Sequence, residues 1–209
     1  MSKNYKNILT FIAFLIIIFT GLAIYTFLIK KDVKEKIEVN VVDEIKDYGY
    51  SINSLDSKYY KELFEQLKTI LKADEIDKEA YAKVVAELFV VDLYTIDTKV
   101  NKYDVGGDQY YHADKLDMYK KKVVETFYEL VKDNSYGDRK QELPVVSNIE
   151  VVDYKTATYK LGEEEVPSYV VTLKWSYEKD LGYDQEGIVT LVDNGDKIEV
   201  VEFGQEEQQ

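Results

Sequence analysis

From Ile8 to Ile29 the chain runs for 22 residues without a charged side chain (ILTFIAFLIIIFTGLAIYTFLI). No other stretch limits the fold as strongly. At about 1.5 Å per residue a helix of that length is about 33 Å long, enough to cross the hydrocarbon core of a bilayer. A core helix of a soluble protein usually keeps a polar stripe for its outer face, and this run has none. A secretory signal peptide has a shorter apolar core, about 7–15 residues, ahead of a small-x-small cleavage site. Gly21-Leu22-Ala23 has that form, but cleavage there leaves the apolar Ile24-Tyr25-Thr26-Phe27-Leu28-Ile29 at the new terminus. The run therefore reads as an uncleaved signal anchor, a single transmembrane helix over residues 8–29 behind a short tail of residues 1–7.

The flanks bear on orientation. Lys3 and Lys6 precede the run; Lys30, Lys31, Lys34 and Lys36 follow it, against Asp32 and Glu35. Lysine counting alone favours a cytoplasmic C-terminal side, but long domains cross largely regardless of charge. The expected topology is N-in, with the C-terminal domain extracytoplasmic. The basic residues are 26 Lys and the single Arg139, a bias typical of an AT-rich bacterial genome. The expected location is thus a bacterial cytoplasmic membrane, crossed once.

The formal charge of −13 averages two unlike parts. Six of the 27 basic and two of the 40 acidic residues precede residue 37, so the remainder carries 21 bases against 38 acids, a net of −17. Such a surface is soluble and repels anionic lipid and nucleic acid. Its expected partners are proteins with basic surfaces, a second copy of itself, or divalent cations. With no Cys there is no thiolate chemistry, and one His rules out a multi-histidine metal centre. No cofactor and no metal site is expected, and no phosphate-loop, nucleophile-elbow, zinc-protease or dinucleotide motif occurs.

The rest of the chain divides by hydrophobic period. Residues 30–49 read as a juxtamembrane spacer, with a short strand over Ile37–Val41 and a turn around Gly49. Residues 50–204 read as one domain, and 205–209 as a polar tail. A first helix is predicted from about Ser57 to Ala73, its stripe formed by Tyr60, Leu63, Phe64, Leu67, Ile70 and Leu71. A second follows Asp77, a helix-capping residue, and reaches about Thr98; it is apolar nearly all round between Leu88 and Tyr94 and so is placed centrally. A third follows Asp114 to about Asp133, its stripe formed by Leu116, Tyr119, Val123, Phe127, Leu130 and Val131, with Lys120, Lys121 and Lys122 outside. The period then changes to two, with strands over Val145–Leu161, Val166–Glu178, Gln185–Asp193 and Lys197–Phe203. Tyr169, Val171, Leu173, Trp175 and Tyr177 share one strand face, the pattern of an antiparallel sheet buried on one side. Asn194-Gly195 predicts a tight hairpin. The fold class is α+β: a single N-terminal transmembrane helix, then three helices packed on a curved antiparallel sheet.

That order of elements resembles the nuclear transport factor two-like (cystatin-like) cone fold. With its membrane helix the chain also looks like the bitopic scaffold subunits of bacterial type IV secretion and conjugation systems. The resemblance covers residues 8–204, rests on element order and carries over no functional residue. It implies a cone domain held outside the membrane that acts in assembly.

Two groups of residues are singled out. Tyr103, Asp104, Gly106, Gly107, Asp108, Tyr110, Tyr111 and His112 lie in a Gly-containing connection, where exposed aromatics favour an interface. His112 could pair with Asp108 or Asp114 as a base, or simply enter the next helix. Asp92, Tyr94 and Asp97 could face a cone cavity, an acid-plus-phenol set of the kind isomerases use. The expected function is a membrane-anchored interaction or scaffold protein of a bacterial envelope or conjugation complex. A small-ligand-binding or sensor domain using the cavity is the alternative, followed by an isomerase-like enzyme.

Overall fold

The structure, a computed structural model, describes residues 3–30 and 34–204. The polar tail 205–209, residues 1–2 of the N-terminal tail and residues 31–33 of the spacer lie outside the described residues. The chain falls into two units, Met1–Ile37 and Glu38–Gln209.

The first unit is helix α1, Lys3–Lys30. Lys6–Thr26 is long and apolar enough to cross a membrane, and none of its apolar stretch is buried by the rest of the chain. Its threonine hydroxyls do not break that surface. Thr10, Thr20 and Thr26 donate to the carbonyls of Lys6, Ile17 and Ala23, at 2.9, 3.2 and 3.0 Å. Polar groups satisfied within the helix are what a hydrocarbon solvent requires.

The second unit begins earlier than residue 50. Val41–Ile45 (β1), inside the stretch read as spacer and starting where the expected strand over 37–41 ends, pairs with Tyr50–Asn53 (β2) in an antiparallel hairpin. Gly49, with φ 66°, closes the turn between them. Gln109 seals the outer edge of β2 as a strand would: its side-chain amide accepts from Ser51 N at 2.9 Å and donates to Ser51 O at 3.0 Å.

Helices α2 (Lys58–Leu71) and α3 (Lys78–Tyr94) start at the side-chain caps that their sequence announces. Ser57 accepts from Tyr60 N, and Asp77 from the amides of Glu79 and Ala80. α3 is the centre of the unit. It touches every strand of the main sheet, and α2 packs along it. Leu88, Phe89, Val90 and Val91 are completely buried; burial of each such side chain contributes roughly 1.5–3 kcal/mol.

The third predicted helix is shorter than its apolar stripe. α4 covers Ala113–Glu125 and stops at Thr126, whose hydroxyl donates to Lys122 O at 2.6 Å. The run Val123-Val124-Glu125-Thr126-Phe127-Tyr128 is rich in β-branched and aromatic residues, which disfavour helix. The chain turns there instead and drops Tyr128 into the core, where its hydroxyl donates to Leu93 O at 2.7 Å. Leu130, assigned to the stripe, is left 81% exposed.

The main sheet is antiparallel in the order β3-β4-β5-β6: Val146–Leu161, Glu164–Tyr177, Glu186–Asp193 and Ile198–Gly204. Tyr169, Val171, Leu173 and Trp175 face the core, as their alternation requires. Register shifts at Ser147 and Val152 interrupt the outer strand β3, a device that blunts an open edge. The expected tight Asn-Gly turn is a four-residue loop, 194–197, since Asp193 pairs with Ile198. Only Gly195 takes a positive φ (94°) there. The Asn194 side chain instead accepts from the amides of Asp196 and Lys197 at 3.1 and 2.8 Å.

Candidate functional site

Asp92 faces inward from the last turn of α3. It forms an ion pair with Lys99, whose side chain is only 6% exposed. Its second oxygen accepts from Gly107 N at 2.7 Å. Burial pushes the Lys99 amine down, but Asp92 beside it, with Tyr128 and Asp104, more than offsets this and holds it above its ordinary value. Gly106 lies so close to the Asp92 carbonyl that any side chain would strike backbone. Gly107 (φ 78°) lies against the Phe89 ring. The Gly-containing connection is thus a clasp over the end of α3, and Asp92 is the post it closes on.

This corrects the exposed-loop expectation for most of its residues. Gly106, Gly107 and Tyr110 are buried. Tyr110 shares a hydrogen bond with Tyr60 at 2.7 Å and sets its ring 5.2 Å from that of Tyr50. Asp108 is paired with Lys120 at 2.8 Å. Tyr111 is half-buried, stacks on Tyr119 with centroids 4.2 Å apart, and bridges Val200 of β6 in parallel. His112 caps α4: its Nδ1 accepts from Asp114 N at 3.3 Å, and its own amide donates to Val200 O at 2.8 Å. Only Tyr103 (69% exposed) and Asp104 remain outside.

The cavity set is also divided. Asp97 is exposed and lies 3.7 Å from Arg139. The Arg139 side chain is 2% exposed and donates to the carbonyls of Asp97, Lys99 and Lys132, which ties residues 97–99 to the 132–139 connection. Its singularity among 26 lysines was the available signal for such a role, since a guanidinium's planar fork suits several fixed acceptors. Tyr94 is buried among Trp175, Phe127 and Phe203, with centroids 4.8, 5.4 and 6.1 Å away. Its hydroxyl donates to Asp184 at 3.3 Å, and burial raises its pKa.

Tyr94 instead belongs to a cleft of about 500 Å³ between α4 and β6. Tyr94, Phe127 and Phe203 supply aromatic surface, α4 supplies Lys115, Met118 and Lys122, and Asp184 and Glu202 supply the acids. Of the residues picked out by sequence, only Tyr94 and Tyr111 line it; Asp92, Asp97 and His112 do not. Lys115 is fixed at the mouth by Tyr159 of the β3–β4 hairpin, at 2.6 Å. Phe127, Phe203 and Lys122 were legible only as stripe, strand and outer-face residues, because the cleft joins elements far apart in sequence.

Among the described residues no group of three or more His, Asp or Glu is placed to hold a metal ion. No protein-family model, curated protein or solved structure matches the chain.

Proposed function

We propose that this chain is a membrane-anchored interaction protein, a scaffold subunit held in the bacterial cytoplasmic membrane by residues 8–29 with its acidic domain outside. One observation carries the reading: an apolar helix, unburied among the described residues, precedes a separately folded unit. A helix apolar all round needs an apolar solvent, and the described residues supply none. The fates of Asp92 and His112 support binding over catalysis. Both oxygens of Asp92 are engaged within the fold, and His112 serves the start of α4. The net charge of −17 after residue 36 favours a basic protein partner or a second copy joined through local charge pairs. The likeness to cone-fold subunits of type IV secretion and conjugation complexes belongs to this proposal.

Chemical cross-linking of the full-length chain in its native membrane tests it. A discrete hetero-oligomer or homo-oligomer that remains in the alkaline-washed membrane pellet is expected. Recovery of monomer alone, or release of the chain by the alkaline wash, overturns the reading.

A further inference from the structure

The cleft between α4 and β6 has properties that membrane anchoring and partner binding do not use. Its aromatic side chains offer rings rather than hydroxyls. Tyr94 donates to Asp184, Tyr111 to Val201 O at 3.4 Å, and Tyr119 to Gly106 O. Polar recognition therefore falls to the charged side chains at the mouth. These are sorted by sign: the bases, Lys115 and Lys122, stand on α4, while the acids, Asp184 and Glu202, stand on the β4–β5 connection and β6. Lys115 is engaged by Tyr159, and Asp184 takes the Tyr94 hydroxyl. The side chains of Lys122 and Glu202 make no hydrogen bond or ion pair among the described residues.

We infer that this cleft binds a small zwitterion with an aromatic or bulky apolar body, the chemical class of aromatic amino acids and aromatic dipeptides. The body lies against Tyr94, Phe127 and Phe203; the carboxylate faces Lys122 and the ammonium faces Glu202 and Asp184. A simple anion would be repelled by the net charge of the domain. A simple cation would leave Lys122 unanswered. At about 500 Å³ the cleft falls within the usual range for small-ligand sites, about 300–1,000 Å³. The inference goes beyond the anchored-scaffold reading and does not depend on it.

The protein contains its own reporter. Trp175 is the sole tryptophan, and its ring centroid is 4.8 Å from that of Tyr94. Its indole N–H donates to Tyr177 at 2.8 Å, and Tyr177 donates to the Asp184 carbonyl. The test titrates full-length protein in lipid nanodiscs with phenylalanyl-phenylalanine, its N-acetyl form, its C-amide and the doubly blocked form, following Trp175 emission. A saturable change with the free dipeptide is expected. Blocking either end should weaken binding about tenfold or more, the equivalent of about 1.4 kcal/mol. Lys122→Glu should weaken the free dipeptide but not the C-amide, and Glu202→Gln the free dipeptide but not the N-acetyl form. Both positions are exposed, and far-ultraviolet circular dichroism checks that the fold is intact. No saturable change up to the solubility limit overturns the inference. So does tighter binding of the doubly blocked form, which would instead point to an internal segment of a partner chain. Membrane retention of the same samples reports separately on the scaffold reading.

Discussion

Two helices of this protein are apolar nearly all round, and they have opposite fates. α1 buries none of its apolar stretch in the protein, whereas α3 is the most enclosed element of the folded unit. Apolar content does not separate them; length and charge do. Lys6–Thr26 holds 21 residues with no charge after Lys6, and its threonines bond to their own backbone. α3 has 17 residues, and the half-buried Lys83, Glu87 and Asp92 stand between its buried ones. Two of these, Lys83 and Asp92, have specific partners. Lys83 pairs with Glu79 and lies 4.8 Å from the centroid of the Tyr154 ring. Asp92 has Lys99 and the Gly107 amide. A few charges that demand specific partners thus suit a helix to a protein core, and their absence over a bilayer's width leaves α1 long and apolar enough to cross a membrane.

The largest effect should come from removing the answer to Asp92. Lys99→Met leaves a buried carboxylate without its cation and should cost about 3–5 kcal/mol. Urea unfolding of the full-length chain in detergent measures it; a loss below about 1 kcal/mol would mean the pair is solvated. The converse change puts an unanswered charge into α1. Ile17→Lys should cost about 3 kcal/mol of membrane insertion and reduce the alkali-resistant membrane fraction. The urea midpoint of the folded unit should not move, and an equal fall in that midpoint would contradict the independence of the two units. Gly106→Ala forces a methyl group onto the Asp92 backbone and should destabilise by about 2 kcal/mol. A neutral result would show that the clasp can lift off α3 without cost.

The smallest effect depends on pH. Glu87 lies on α3 near Lys83 and Tyr59, and burial pushes its carboxyl from 4.5 up to about 7, with Lys83 opposing. The folded state therefore holds this proton more tightly than the unfolded chain does. Stability falls as pH rises from about 4.5 to about 7, and the penalty stays constant above that window. Glu87→Gln should stabilise the protein by about 1–3 kcal/mol at pH 8 and by almost nothing at pH 4. An equal gain at both pH values would place the effect in packing rather than ionisation.

Long periodic signals were readable from sequence. The 22-residue run, the caps at Ser57 and Asp77 and the alternation of Tyr169 to Trp175 each specify an element without help from the rest of the chain. Signals that needed a distant partner were not. β1 and β2 have five and four residues, too short for a clear period, and β2 is completed by the side chain of Gln109, far along the sequence. The stripe through Leu130 looked helical because Phe127 keeps its spacing even though the chain has already turned at Thr126. The role of Asp92 was hidden because Lys99, seven residues on, reaches it only after α3 ends at Tyr94. Of the cleft, Tyr94 and Tyr111 were visible as chemistry, whereas its charged mouth is assembled from α4, β6 and the β4–β5 connection.

The absence of cysteine makes the central claim directly measurable. Tyr103→Cys places a single thiol at an exposed position of the folded unit, and Ser2→Cys places one before the apolar run. A membrane-impermeant maleimide applied to intact cells should label Cys at 103 and leave Cys at 2 unlabelled until the cells are lysed. Labelling of position 2 with protection of position 103 would contradict an outside domain. Recovery of the labelled folded unit in the soluble fraction would contradict the anchor itself.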